Sequence, residues 1–130
     1  MKIVIPNYTA AIIIRDKKIL LLQRNKNDDE PEKWTPINET IEDNESPEDA
    51  VVRGVKEEIG TEFLITERLE NHLYDGITAV FLGTVTGPIR PEQKEVKNFG
   101  WFSYEETKSL DFAYKYECVI NQLFEKKLLR

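Results

Sequence analysis

Two apolar runs open the chain. Residues Tyr8 to Ile14 are β-branched or small and apolar, Arg15-Asp16-Lys17-Lys18 interrupts them, and Ile19 to Gln23 resumes the pattern. Two such runs around a short polar break predict a β-hairpin, although Asp-Lys-Lys lacks the glycine of the commonest tight turns. Asn25 to Lys33 (NKNDDEPEK) is polar, charged and interrupted by Pro31, the composition of a solvated loop, and Trp34 ends it.

Ser46-Pro47-Glu48-Asp49 is a helix start: a Ser N-cap, Pro at the first helical position, and acids in the first turn where they favour the helix dipole. Gly60 supplies the stop. Between them Val51, Val52, Val55 and Ile59 recur at three- and four-residue spacing, so one face packs on a core and the opposite face is free for chemistry. Phe63 to Ile65 and Leu73 to Val85 have strand composition, with Gly83 marking a bulge or close approach. Gly87-Pro88 is a break, Asn98 to Ser103 reads as a further strand, and Tyr104 to Ser109 as a short helical turn. Phe112, Tyr116, Val119, Ile120, Leu123 and Leu128 then give the stripe of a C-terminal helix, on which Cys118 is expected to be a half-buried packing residue. Strands, helix, strands, helix suits a mixed sheet between helices, an α/β (α+β) class, in one domain spanning residues 1–130.

Composition narrows the classes. The chain has 130 residues, of which 40% are hydrophobic and 32% charged, enough apolar material for a core and too much for disorder. Its net charge of −6 argues against coating duplex nucleic acid, which requires Lys and Arg to neutralise phosphates, but admits a single phosphate-bearing small molecule. Cys118 is the one cysteine, so no internal disulfide forms. The apolar run Ala10 to Ile14 is too short for a signal segment or a membrane span. A cytoplasmic protein is expected.

The charge is not evenly spread. Glu39 to Glu58 carries eight acids (Glu39, Glu42, Asp43, Glu45, Glu48, Asp49, Glu57 and Glu58) against Arg53 and Lys56, so this stretch holds the entire net charge and the remainder balances. On the helix, positions 50, 54, 57 and 58 share a side, and Glu57 and Glu58 point away from the Val51/Val55/Ile59 stripe. Adjacent carboxylates without a cationic partner of their own suit a hard divalent cation such as Mg²⁺; the competing reading is a solvated acidic face.

The order of residues around this helix resembles the Nudix hydrolase family. Its signature is a Gly, five residues, Glu, seven residues, Arg-Glu, an aliphatic, any residue, Glu-Glu, any residue, Gly and an aliphatic. Glu45, Arg53, Val55, Glu57, Glu58 and Gly60 fall at that spacing in the box-like segment 39–61. Leu20 to Arg24 is similar to the strand ahead of the box, Trp34 stands where the family usually has a Trp, Glu42 matches an extra Glu often found inside the box, and Trp101-Phe102-Ser103 with Glu105-Glu106 looks like the closing strand and helix. The resemblance implies a Nudix-type α/β/α sandwich and hydrolysis, dependent on Mg²⁺ or Mn²⁺, of a nucleoside diphosphate linked to another moiety. Catalysis then rests on positioning and charge compensation. It implies Glu57 and Glu58 as metal ligands, Glu45 as a third ligand or a support, Arg53 as the residue holding the acidic loop by ion pairs, and Arg24 as a contact to a substrate phosphate. A homodimer is a family habit.

Three positions depart from the signature. Gly54 stands where the family carries the Glu after its Arg, which commonly ligates metal and often serves as general base. Losing a positioned base typically costs roughly 10²–10⁴-fold in rate, so weakened hydrolysis is expected, with a catalytically silent nucleotide- or ADP-ribose-binding module as the alternative. With an otherwise intact site, Gly54→Glu is expected to raise metal-dependent hydrolysis by a factor on the order of 10² or more. Ile37-Asn38-Glu39 replaces Pro-Gly-Gly, so either the loop is differently shaped or the Glu39 carboxylate partly replaces the missing one. Thr61 replaces the final aliphatic. Glu95 lies in a region where some relatives supply a catalytic or metal-binding Glu, although several would carry it at the position of Asn98. His72, the one histidine, is expected to be structural.

Overall fold

The computed structural model describes residues 5–94 and 96–130. Glu95 therefore lies outside the described residues. Strand β1 (Tyr8–Arg15) turns into β2 (Lys18–Arg24) as the hydrophobic pattern predicts. Without a glycine, Asp16 and Lys17 themselves take φ of 54° and 64°, the left-handed pair that a two-residue hairpin of right-handed twist requires. The C-terminus fastens this turn: the Arg130 N–H donates to the Lys17 carbonyl at 3.1 Å and Lys17 Nζ donates to the Lys127 carbonyl at 2.7 Å.

The polar loop leads to β3 (Trp34–Thr35), β4 (Ile37–Thr40) and helix α1 (Pro47–Ile59). Strands β5 (Phe63–Arg68), β6 (His72–Leu73), β7 (Ile77–Val85) and β8 (Val96–Phe102) follow, then helices α2 (Tyr104–Thr107) and α3 (Glu117–Glu125). The run Leu73 to Val85, read as one strand, is broken. Asp75 and Gly76 adopt φ of 48° and 121° and fold β6 back antiparallel on β7. An Asp-Gly pair inside an apolar run is a turn signal, and the apolar composition masked it.

The eight strands form a mixed sheet with the path β3-β2-β1-β7-β5. Strand β1 lies at its centre, parallel to β7 on one edge. The other edge is divided between β4, which pairs with Tyr8 to Ala11, and β2, which pairs with Ile14 and Arg15. Strand alternation sends the side chains of β1 to two cores. Ala11 and Ile13 pack with Val51, Val55 and Ile59 of α1, whereas Ala10 and Ile12 pack with Val119, Ile120 and Leu123 of α3. The result is an α/β/α sandwich. Gly83 sits opposite Ile65 at a bulge in β5, and a Cβ there would meet the Leu64 carbonyl and come within 2.5 Å of Phe63 Cε1, so it marks a close approach.

The C-terminal stripe is buried as expected, but helix α3 begins later than the stripe does. A short 3-10 turn at Ala113–Lys115 precedes it, in which Tyr114 and Lys115 take φ of 53° and 56°. Cys118 is exposed rather than half-buried, because Val119 and Ile120 take the inward positions of that turn. His72 is structural: its Nε2 lies 2.8 Å from the Tyr114 carbonyl oxygen and its ring stacks on Tyr116 at 4.9 Å. Among the described residues no helix is long and apolar enough to cross a membrane.

Candidate active site

Helix α1 is the platform, and its ends fix the rotation of its faces. The Ser46 hydroxyl accepts from the Asp49 N–H at 3.1 Å, Pro47 occupies the first turn, and Gly60 closes the helix with φ 72°. With Val51, Val55 and Ile59 buried, Arg53 and Glu57 emerge on the side facing the loop that precedes the helix. Glu58 is half-buried.

The side carrying positions 50, 54, 57 and 58 is not wholly free. Ala50 and Gly54 are buried, because β4 lies over them. A Cβ at Gly54 would stand 2.9 Å from Glu39 Cβ and 3.2 Å from Glu39 Cγ, closer than such carbons pack. The stem of Glu39 thus fills the room that a side chain at position 54 needs. Gly54→Glu alone meets this stem, so the simple gain expected from restoring a glutamate there does not follow from the geometry.

Arg53 is the hub of the acidic segment. Its Nε donates to Glu45 Oε2 at 2.8 Å and its Nη2 donates to Glu45 Oε1 at 3.0 Å and to the Thr40 carbonyl at 2.9 Å. Nη1 lies 3.3 Å from Glu57 Oε2, 3.6 Å from Glu39 Oε2 and 3.7 Å from Glu42 Oε1. The planar fork lets one cation serve four carboxylates and a carbonyl at once. Glu57 therefore does have a cationic partner, contrary to the expectation for adjacent acids on a surface helix.

Glu45 is committed on both oxygens, since Oε1 also accepts from the Glu42 N–H at 3.0 Å. Hydrogen bonds from Arg53 first, and from that backbone N–H second, pull its carboxyl down to about 2. The same contacts push the Arg53 guanidinium further above its ordinary range.

Beside this network lies a cleft of about 290 Å³, bordered by Glu39, Asn38 and Thr40 of β4, Arg24 at the end of β2, and the tyrosines Tyr8, Tyr74, Tyr114 and Tyr116. Arg24 Nη2 pairs with Asp29 Oδ1 at 2.7 Å, its Nε donates to the Asp29 carbonyl at 2.9 Å, and its guanidinium lies 5.1 Å from the centre of the Tyr114 ring. The Tyr114 hydroxyl donates to Asp29 Oδ2 at 2.9 Å. Burial, then this bond to a carboxylate, raises the Tyr114 phenol. Tyr116 is buried, which raises its hydroxyl to about 12, with Asn38 and Thr78 as hydrogen-bond partners. Arg24 and Asn38 also line a narrower crevice, whose wall includes Glu58.

The fold brings Arg24, Glu39, Glu45, Arg53 and Glu57 together at the Arg53 guanidinium or on the cleft beside it and puts Glu58 on the crevice, while Glu95 lies outside the described residues. Asp29, Tyr74, Tyr114 and Tyr116 join the site without being sequence candidates for it. These come from a polar loop, a turn and a C-terminal stripe that read as solvent and core, and no local signal marks them.

A NUDIX domain model matches residues 6–123. The chain belongs to the Nudix family. A curated CTP pyrophosphohydrolase of Escherichia coli (strain K12) is 41% identical over 63 residues, 48% of this chain and 47% of that protein, so the match spans about half the length of that relative. Among solved structures, a MutT NUDIX hydrolase from Burkholderia pseudomallei superposes with a TM-score of 0.80 at 24% identity, covering 91% of this chain and 97% of that one. The solution structure of the E. coli ORF135 protein gives a TM-score of 0.75 at 28% identity, with 92% and 89% covered.

Nudix hydrolases generally use divalent metal ions. The donors here are the right kind for one, since Glu39, Glu57 and Glu58 offer carboxylate oxygens and hard cations take oxygen. Among the described residues, however, no three His, Cys, Asp or Glu side chains are gathered closely enough to hold an ion. Arg53 Nη1 occupies the point on which Glu39, Glu42 and Glu57 converge. The chemistry of this Nudix site suits a divalent cation, but the carboxylates of Glu39, Glu42, Glu45 and Glu57 are drawn to the Arg53 guanidinium.

Proposed function

We propose that this Nudix chain is a nucleotide pyrophosphohydrolase, cleaving a nucleoside diphosphate linked to another moiety, with activity weakened by Gly54. The observation that carries this is the Arg53 hub. It holds Glu45 and Glu57 in the order that the family signature requires, beside a cleft of about 290 Å³. Glu57 and Glu58 are the residues that would hold Mg²⁺ or Mn²⁺. Such an ion, when bound, compensates phosphate charge and lowers the pKa of an attacking water. Glu45 acts through Arg53, because both its oxygens are already engaged. On this reading Arg24, on the cleft wall, is the cation that meets a substrate phosphate. Tyr74 and Tyr114, whose rings lie 5.9 Å apart, offer faces for a nucleobase, with Asn38 and Thr78 as polar contacts. The partial likeness to a CTP pyrophosphohydrolase supports nucleoside triphosphates as the first substrates to try.

A second reading is a silent nucleotide- or ADP-ribose-binding module, favoured by Gly54 and by the absence of a gathered carboxylate triad among the described residues. The two part in a phosphate-release panel over nucleoside triphosphates, NADH, ADP-ribose and dinucleoside polyphosphates, with Mg²⁺ and with Mn²⁺. Turnover of any member supports the enzyme; binding without turnover supports the module.

A further inference from the structure

Tyr114 carries backbone strain at the edge of the cleft. It and Lys115 take left-handed φ of 53° and 56° in the turn before α3, a conformation that presses Cβ toward a carbonyl oxygen and that few residues besides glycine, asparagine and aspartate adopt. Such a turn persists where its surroundings over-determine it, and strain of this kind gathers at functional sites. The Tyr114 N–H donates to Glu30 Oε1 at 3.4 Å, its carbonyl oxygen lies 2.8 Å from His72 Nε2, and its hydroxyl donates to Asp29 Oδ2 at 2.9 Å. Two of these three contacts run to the polar loop between β2 and β3, the loop that begins directly after Arg24.

The same tyrosine reaches Arg24 by two routes. Its ring lies under the guanidinium at 5.1 Å, and its hydroxyl holds one oxygen of Asp29 while the other takes Arg24 Nη2 at 2.7 Å. The Asp29 carbonyl takes Arg24 Nε at 2.9 Å. The side chain of Asp29 is 75% exposed, against 17% for Arg24, so water competes for the carboxylate and the Tyr114 hydroxyl is what fixes it from its far side. Burial and the bond to Asp29 raise the Tyr114 phenol, which therefore keeps its proton and remains a donor. With a ring against one face and Asp29 along one edge, the planar guanidinium is held in one orientation. Among the described residues Nη1 has no partner, and Arg24 borders the cleft.

We infer that Tyr114 is the positioning residue for Arg24: its ring and, through Asp29, its hydroxyl aim the guanidinium so that Nη1 is presented to a phosphate of the substrate. The inference rests on the proposed reading, in which Arg24 meets that phosphate. It gives the strained turn at Tyr114 and Lys115 a role, since that conformation lets one side chain reach both Asp29 and Arg24. Asp29 is then a support for Arg24 and not a carboxylate that the substrate must displace.

The test is a double-mutant cycle of the parent, Arg24→Gln, Tyr114→Phe and Arg24→Gln/Tyr114→Phe, with kcat, KM and melting temperature measured on the nucleoside triphosphate turned over fastest. Tyr114→Phe keeps the ring and removes the hydroxyl, and the exposed Asp29 carboxylate turns to water, so it should melt close to the parent. Its KM should rise about 3–10-fold, with kcat within a few-fold of the parent. The double variant should have the KM of Arg24→Gln, because a residue that acts only through Arg24 has nothing left to position. A parental or lowered KM in Tyr114→Phe overturns the inference, as do additive effects in the double variant or a parental KM in Arg24→Gln. Each of these leaves the hydrolase reading standing. If Tyr114→Phe does not fold, Asp29→Ala breaks the same link from its exposed side and is held to the same expectations. If the parent turns over no triphosphate, the hydrolase reading fails. The cycle is then read in Kd for the common ribonucleoside triphosphates by calorimetry, with the same ratios expected, and no binding by the parent overturns the inference as well.

Discussion

Arg53 grips Glu45 through two nitrogens, Nε at 2.8 Å and Nη2 at 3.0 Å, and so ties the loop before helix α1 to the helix itself. This bond gives a pH signature. The fold lowers the Glu45 carboxyl from its ordinary 4.5 to about 2. A depressed carboxylate contributes stability that is fully present above its unfolded value and is lost as pH falls through its folded one. The melting temperature of Glu45→Gln is therefore expected to lie below that of the parent above pH 4.5, with the gap closing as pH is lowered toward 2. Calorimetry across that range checks it, and parallel curves would contradict it.

Arg24 is held by Asp29 and lies over the Tyr114 ring at the mouth of the cleft. If it meets a substrate phosphate, Arg24→Gln removes binding made equally in the ground and transition states. KM is then expected to rise by about 10–100-fold, with kcat within a few-fold of the parent. Steady-state kinetics on the best substrate of the panel separates the two constants. An unchanged KM would leave Arg24 as a loop fastener only.

Gly83 has no room for a side chain, because β5 bulges onto it at Ile65 and brings Phe63 Cε1 within 2.5 Å of a Cβ there. Gly83→Ala is expected to destabilise the protein by about 1–3 kcal/mol. A urea titration should show a lower midpoint at an unchanged slope.

How much of this could be read before the fold was known differs by element, for physical reasons. Helix α1 was legible to the residue because its signals are local: Ser46, Pro47 and Gly60 sit at its two ends and the Val51/Val55/Ile59 period lies between. The first hairpin was legible from its apolar runs, although its turn uses Asp16 and Lys17 in conformations that sequence alone does not suggest. The cleft was not legible. The bond from Tyr114 to Asp29 joins residues 85 apart in the chain, and Tyr114 reaches it from a left-handed turn that no glycine or asparagine announces. Arg53, Glu57 and Glu58 could be named because their spacing is helical. That Glu39 lies against Gly54 depends on how β4 is laid over α1, which is a property of the assembled sheet.

The most direct measurement of the central claim is hydrolysis of a nucleoside triphosphate by the parent and by Glu57→Gln, each with Mg²⁺ or Mn²⁺ and again after chelation. The account predicts slow turnover by the parent that needs the divalent cation and disappears in Glu57→Gln, while both proteins keep the same fold by circular dichroism. Turnover that survives chelation or the Glu57→Gln substitution, or no turnover by the parent on any nucleotide tried, would contradict it.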